Sequence, residues 1–178
     1  MKILVVIDMQ KDFVDGVLGT PEARAIVPNV AAKVKQYAEM EDSLIVYTRD
    51  SHFSDYMETM EGKKLPVPHC IYGTEGWNII PEVIGCRAAI AIFDKPTFGY
   101  NNLATEIDEL VEELGHTIES FEICGVCTDI CVISNALILK ANFYETPIAV
   151  DSSCCAGVTP AKHEAALEVM RSCQIDVI

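Results

Sequence analysis

Apolar residues along this chain fall into two alternating patterns. Short continuous runs occupy residues 3–8, 43–49, 88–94, 118–126 and 147–151, with a last one near Ile175. Between them, residues 28–40, 101–114, 129–142 and a stretch after Pro160 carry helical patterns. In the second of these, Leu103, Ile107, Leu110, Val111 and Leu114 recur three or four places apart, which predicts an amphipathic helix with one buried face. Unbroken apolar runs, unlike in-and-out alternation, predict strands covered on both sides, as in a parallel sheet. Six strands alternating with helices predict a doubly wound, three-layer α/β/α domain. Residues 50–85 fit neither pattern. They are too long for a plain connection, which predicts an active-site loop.

Length and charge narrow the picture. The 178 residues show no repeat, low-complexity tract or Gly/Ser linker, so residues 1–178 are expected to form a single domain. Thirteen Lys and Arg against 27 Asp and Glu give a net charge of −14, which repels phosphate backbones and anionic lipid. No nucleic acid or membrane partner is expected. No apolar run approaches the roughly 18 residues of a membrane span. One lysine, five apolar residues and then Asp8 make too short a core for a signal peptide, so a cytoplasmic address is expected. There the eight cysteines are expected to be free thiols, at least one of them reactive.

In a doubly wound sheet, ligands bind beyond the carboxyl ends of the strands, so polar residues that end apolar runs are the candidates for chemistry. Asp8 ends the first run and could serve as a general base or brace a loop. Asp12 is expected to cap locally. Lys95 ends the third run, where an ammonium could steady a thiolate or an oxyanion, or simply reach solvent. Cys131 follows Gly125 in Cys124-Gly125-Val126-Cys127-Thr128-Asp129-Ile130-Cys131, a strand passing through a turn into a helix. The first turn of a helix favours a thiolate, which makes Cys131 the expected nucleophile. A zinc ribbon lacks its second cysteine pair. Asp50 and His52, two apart at a strand end, project to one side and could share a cation with His69. Glu58 and Glu61 are spare carboxylates nearby. His116 and His163 are expected to be solvated.

Taken together these motifs resemble the isochorismatase-like cysteine hydrolase superfamily, and within it the nicotinamidases. The resemblance runs through Asp8 with Gln10 and Asp12-Phe13, Asp50-x-His52, Pro68-His69-Cys70, Gly73-Thr74-x-Gly76, Lys95, and Gly125-Val126-x-Thr128-Asp129-x-Cys131-Val132. It implies a six-stranded parallel sheet, a triad of Asp8, Lys95 and Cys131, and a divalent metal on Asp50, His52 and His69, with Glu61 in the position of a further ligand. Zinc is expected first, with manganese or iron as alternatives. The implied reaction is deamidation of nicotinamide or a similar small carboxamide through a thioester, placing the enzyme in NAD salvage. Backbone N–H groups of Cys127 and Cys131 would form the oxyanion hole, with a cis peptide at Val126–Cys127. The metal would orient the pyridine nitrogen and a water. Phe13 would pack on the ring, with Leu65, Phe98 and Tyr100 as pocket residues. Many nicotinamidases carry an aromatic residue where this sequence has Pro66, a departure that bears on which carboxamide is taken.

Two other functions fit part of this pattern. One is a small-amide hydrolase of the N-carbamoyl amide or ureide type, using the same triad. The other is a non-catalytic module that only binds a small ligand, which has no need of a base, a cation and a thiol together. The stretch 129–142 is apolar nearly all round, which points to burial on several sides and to a homo-oligomer.

Overall fold

The computed structural model describes residues 1–85 and 90–178. Six parallel strands, β1 (Lys2–Ile7), β2 (Ser43–Asp50), β3 (Ile90–Lys95), β4 (Ser120–Val126), β5 (Ile148–Ala156) and β6 (Asp176–Val177), form one sheet in the order β3-β2-β1-β4-β5-β6. Its helices are α1 (Lys11–Val14), α2 (Pro21–Ala38), α3 (Met60–Lys64), α4 (Pro81–Ile84), α5 (Leu103–Glu113), α6 (Ile133–Asn142) and α7 (Pro160–Ser172). α2 packs with α4, and α6 packs with both α5 and α7, giving two helical layers around the sheet. The expected three-layer doubly wound architecture is the one observed. Cys86 and the start of the 88–94 run lie outside the described residues.

β1 is the central strand, and Ile3, Leu4, Val5, Val6 and Ile7 are fully buried, as a strand covered on both faces requires. Strand order reverses between β1 and β4, so their carboxyl ends open the crevice where such sheets place ligands. Asp8 follows one of these strands and the Gly125-Val126-Cys127 turn closes the other.

Three boundaries differ from expectation. α2 begins at Pro21 and contains Pro28, because Thr20 caps it by accepting a 3.0 Å hydrogen bond from the Ala23 N–H and Pro21 suits the first helical position. β5 continues past Asp151 to Ala156, because the Asp151 carboxylate is paired with Lys33 of α2 and its burial is offset. Thr128–Val132 forms a π-helical turn before α6 rather than the start of an α-helix. Among the described residues no helix is long and apolar enough to cross a membrane.

Candidate active site

Asp8, Lys95 and Cys131 converge above the sheet. Lys95 Nζ lies 2.7 Å from Asp8 Oδ2 and donates to Cys131 Sγ at 3.5 Å. Lys95 and Asp8 are fully buried and Cys131 nearly so, which excludes the solvent-reaching reading of Lys95. Lys95 Nζ also donates to the Thr97 carbonyl at 3.1 Å and lies 3.5 Å from Asp50 Oδ1. Burial opposes the ammonium, but the Asp8 and Asp50 carboxylates outweigh it and hold the Lys95 pKa above its ordinary value. Burial pushes the Cys131 thiol well above its ordinary range, and Asp8 adds to this while Lys95 opposes it. Burial thus opposes the charge that a helix start would favour on this sulfur. A base is needed to activate it. Burial likewise raises the Asp8 carboxyl, against the pull of Lys95, which keeps it closer to a proton-accepting range.

Local backbone geometry sets this convergence. Asp8 adopts φ 48°, a left-handed conformation that aspartate tolerates better than most residues and that ends β1 in a sharp turn. Gly125 has φ 120°, and a Cβ there would meet the Ile7 carbonyl oxygen at 2.0 Å, so only glycine lets β4 approach β1 this closely. The Val126–Cys127 peptide is cis. Cys127 faces the same cavity as Cys131, and burial pushes its thiol up to about 12.

Asp50, His52, Glu61 and His69 place one ligand atom each within 4.8 Å of one another. Asp50 Oδ2 lies 2.9 Å from His52 Nε2 and 3.5 Å from His69 Nε2, and Glu61 Oε1 lies 3.7 Å from both imidazoles. Val67 O contacts His69 Nδ1 at 2.8 Å and so turns Nε2 toward the cluster. Buried Asp50 Oδ1 and His52 Nε2 have no well-formed hydrogen bond among the described residues. Two imidazoles and two carboxylates with free lone pairs fit a divalent ion of the zinc, manganese or iron type. Burial works to raise the Asp50 pKa, but the His52 and His69 imidazoles and the Lys95 ammonium beside it hold it well below the ordinary range. Burial and Asp50 raise Glu61. Glu58 is exposed and outside the group.

A cavity of about 610 Å³ opens onto both groups, with Asp50, Glu61, His69, Cys127 and Cys131 in its walls. Phe13, Leu65 and Phe98 line it as expected, and the Phe13 ring centre lies 5.4 Å from that of His69. Tyr100 does not line it. Its hydroxyl turns away to Glu106 and its N–H is held by Asn135 Oδ1 at 2.9 Å. Asp12 is no local cap: its carboxylate accepts a 2.8 Å hydrogen bond from the Cys70 N–H across the loop. His163 is half-buried and hydrogen-bonds the buried Thr128 hydroxyl at 2.8 Å, so it is not simply solvated. In the loop between β2 and α3, Tyr56 packs against His52 and His69.

Sequence reasoning missed several supports. Thr48 donates a 2.6 Å hydrogen bond to Asp8 Oδ1. Gln10 clips the end of β2 by accepting from the Asp50 N–H at 2.7 Å and donating to the Asp50 and Trp77 carbonyls at 2.8 Å each. Asn135 joins the nucleophile turn to the segment after β3, and its polarity one helical turn beyond Cys131, amid apolar neighbours, is a signal that could have found it.

The chain is similar over its whole length to several known hydrolases. The chain is 25% identical over 193 residues to a nicotinamidase/pyrazinamidase of Mycobacterium tuberculosis, covering 100% of this chain and 98% of that protein. It superposes with a TM-score of 0.78 on a pyrazinamidase of Pyrococcus horikoshii solved in complex with zinc, at 27% identity over 99% of this chain and 98% of the other. An N-carbamoylsarcosine amidase of Thermoplasma acidophilum gives a TM-score of 0.75 at 27% identity, covering 99% and 94%. The isochorismatase domain model matches residues 2–178, and the chain belongs to that family.

Proposed function

We propose that residues 1–178 act as one hydrolase that deamidates nicotinamide, or a similar small carboxamide, to the acid and ammonia. The observation that carries this reading is Cys131 Sγ, in the cavity wall, 3.5 Å from a buried ammonium that itself lies 2.7 Å from a buried carboxylate. Asp8 takes the Cys131 proton, and the sulfur attacks the carboxamide carbon while Lys95 stabilises the charge on sulfur. Backbone N–H groups of Cys127 and Cys131 receive the developing oxyanion. The C–N bond breaks, Asp8 returns its proton to the departing amine, and the acyl group stays on sulfur as a thioester. Asp8 then accepts a proton from water as it attacks the thioester, releasing the acid and restoring the thiol.

Asp50, His52, His69 and Glu61 would hold a divalent ion, zinc first among the candidates, which supplies Lewis acidity toward a ring nitrogen when bound. Phe13, in the cavity wall beside His69, packs on the substrate ring. The M. tuberculosis and P. horikoshii relatives support nicotinamide as reference substrate and a placement in NAD salvage. The free thiols described throughout the chain support a cytoplasmic setting, and exposed Leu137 on apolar α6 supports self-association.

Ammonia release from nicotinamide tests the reading. Wild-type protein should release one ammonia per acid formed, and Cys131→Ala should lower turnover by at least about a thousandfold while still binding the amide. Binding without release by the wild type would sink it.

A further inference from the structure

The cavity is much larger than the amide just named. Nicotinamide has about nine non-hydrogen atoms, and granting each the roughly 30 Å³ of a liquid water molecule sets a generous ceiling of about 270 Å³. More than half of the 610 Å³ stays unfilled by such a ligand. The walls decide what belongs there. Away from the reacting groups they are mostly apolar, with Leu18, Met60, Leu65, Phe98, Ile130 and Val158, interrupted by Thr20 and Thr97. Lys64 and Lys162 add methylene stems whose ammonium ends can stay in water. A wall of this composition holds water poorly and gains by covering carbon.

The apolar surface also continues outward in one direction. Ile130 and Lys162 border the main cavity and a shallow, open depression between the π-helical turn and α7. Ile133, Ala165 and Val169 line that depression. Its acidic member, Asp129, is already engaged, accepting a 2.9 Å hydrogen bond from the Val158 N–H. From the nucleophile turn an apolar path thus runs over Ile130 to the flank of α7.

Resting on the hydrolase reading above, we propose that the preferred substrates are primary carboxamides carrying an apolar arm about one ring longer than nicotinamide. The carboxamide sits at Cys131 and the arm lies over Ile130 toward α7. The chemical step is unchanged: ammonia leaves and water supplies the acid oxygen.

The test is ammonia release by the purified protein from nicotinamide, 5-phenylnicotinamide and 6-phenylnicotinamide. At least one phenyl derivative should exceed nicotinamide in kcat/KM by about tenfold, a modest gain for burying a second ring, and mainly through KM. Two substitutions address the path: Val158→Trp in the cavity wall and Ala165→Trp on an exposed position of α7. Each should lower the ratio of phenyl derivative to nicotinamide by about fivefold or more, a loss of roughly a kilocalorie-scale contact. Thermal melts confirm that both variants fold. Nicotinamide turning over faster than both derivatives would overturn the inference and leave the hydrolase reading intact. An unchanged ratio in both folded variants would overturn the path over Ile130. Release from none of the three amides by folded, metal-bearing protein would instead remove the hydrolase reading, and this inference with it.

Discussion

The Thr48 hydroxyl donates a 2.6 Å hydrogen bond to Asp8 Oδ1, while Lys95 holds the other oxygen of the same carboxylate. One donor is neutral and fixes the carboxylate plane, and the other is charged and shared with the Cys131 sulfur. Because a hydrogen bond to a carboxylate favours its ionised form, Thr48 works against the burial that raises Asp8. Thr48→Val removes that donor at nearly constant volume. The Asp8 pKa should rise further, so the acid limb of kcat/KM should move to higher pH. A pH–rate profile of the variant checks this. An unmoved acid limb would show that Thr48 only packs.

Asn135 ties two segments to the nucleophile. Its side-chain amide donates to the Cys131 carbonyl at 2.8 Å and the Phe98 carbonyl at 3.1 Å, and its oxygen accepts from the Tyr100 N–H. Asn135→Leu leaves three buried or half-buried backbone groups without that partner. Stability should fall by about 2–4 kcal/mol in urea melts, and kcat should fall with it as Cys131 loses its fixed position. Asn135→Asp keeps the acceptor and should recover only the Tyr100 contact.

Much of this site is legible in the sequence because strands of a parallel sheet must end on one side. Asp8, Asp50 and Lys95 each terminate an apolar run, so their placement on that edge follows from hydrophobic pattern alone. The two-residue spacing of Asp50 and His52 likewise survives folding. Thr48 is illegible for the opposite reason: it sits inside an apolar run, and nothing local says which neighbour its hydroxyl will meet. The cavity walls are harder still, since Leu18, Met60, Phe98, Ile130 and Val158 come from separate parts of the chain and meet only after the sheet forms. Tyr100 shows the limit. Its position in sequence suits the pocket, but a local hydroxyl contact to Glu106 turns the ring away.

Glu61 stands farther from the two imidazoles than Asp50 does from His52, at 3.7 Å against 2.9 Å, and its side chain is partly exposed. It should therefore be the most dispensable of the four candidate ligands. Purified protein should carry about one divalent ion per chain by elemental analysis. Glu61→Gln should weaken metal retention against a competing chelator about tenfold, and His52→Ala or Asp50→Ala should abolish it. Equal retention in all three variants would mean that the ion sits elsewhere.

On the far side of the central strands, Lys33 of α2 joins β4 to β5. Its ammonium meets Glu122 of β4 and lies 2.5 Å from Asp151 of β5, while the Tyr37 hydroxyl donates to the other Glu122 oxygen at 2.8 Å. Burial opposes charge on Lys33, but Asp151 and Glu122 outweigh it and raise its pKa. Burial also works to raise Asp151, but Lys33 and Ser153 hold it below the ordinary carboxylate value. The two signs define a window. The Asp151 contribution is fully present above its unfolded pKa, near 3.8, and is lost as pH falls through the lower folded value. The Lys33 contribution is complete below 10.5 and is lost as pH rises through the raised folded value. Lys33→Met leaves two largely buried carboxylates side by side, so at neutral pH it should cost about 3 kcal/mol, or roughly 6–12 °C in Tm for a chain of this size. Below about pH 3.8 the gap between wild type and variant should narrow, because protonated Asp151 no longer needs the ammonium. Thermal melts of both proteins from pH 3 to 8 measure that gap, and one that stays constant into acid would show that Lys33 stabilises the fold by packing its stem rather than by its charge.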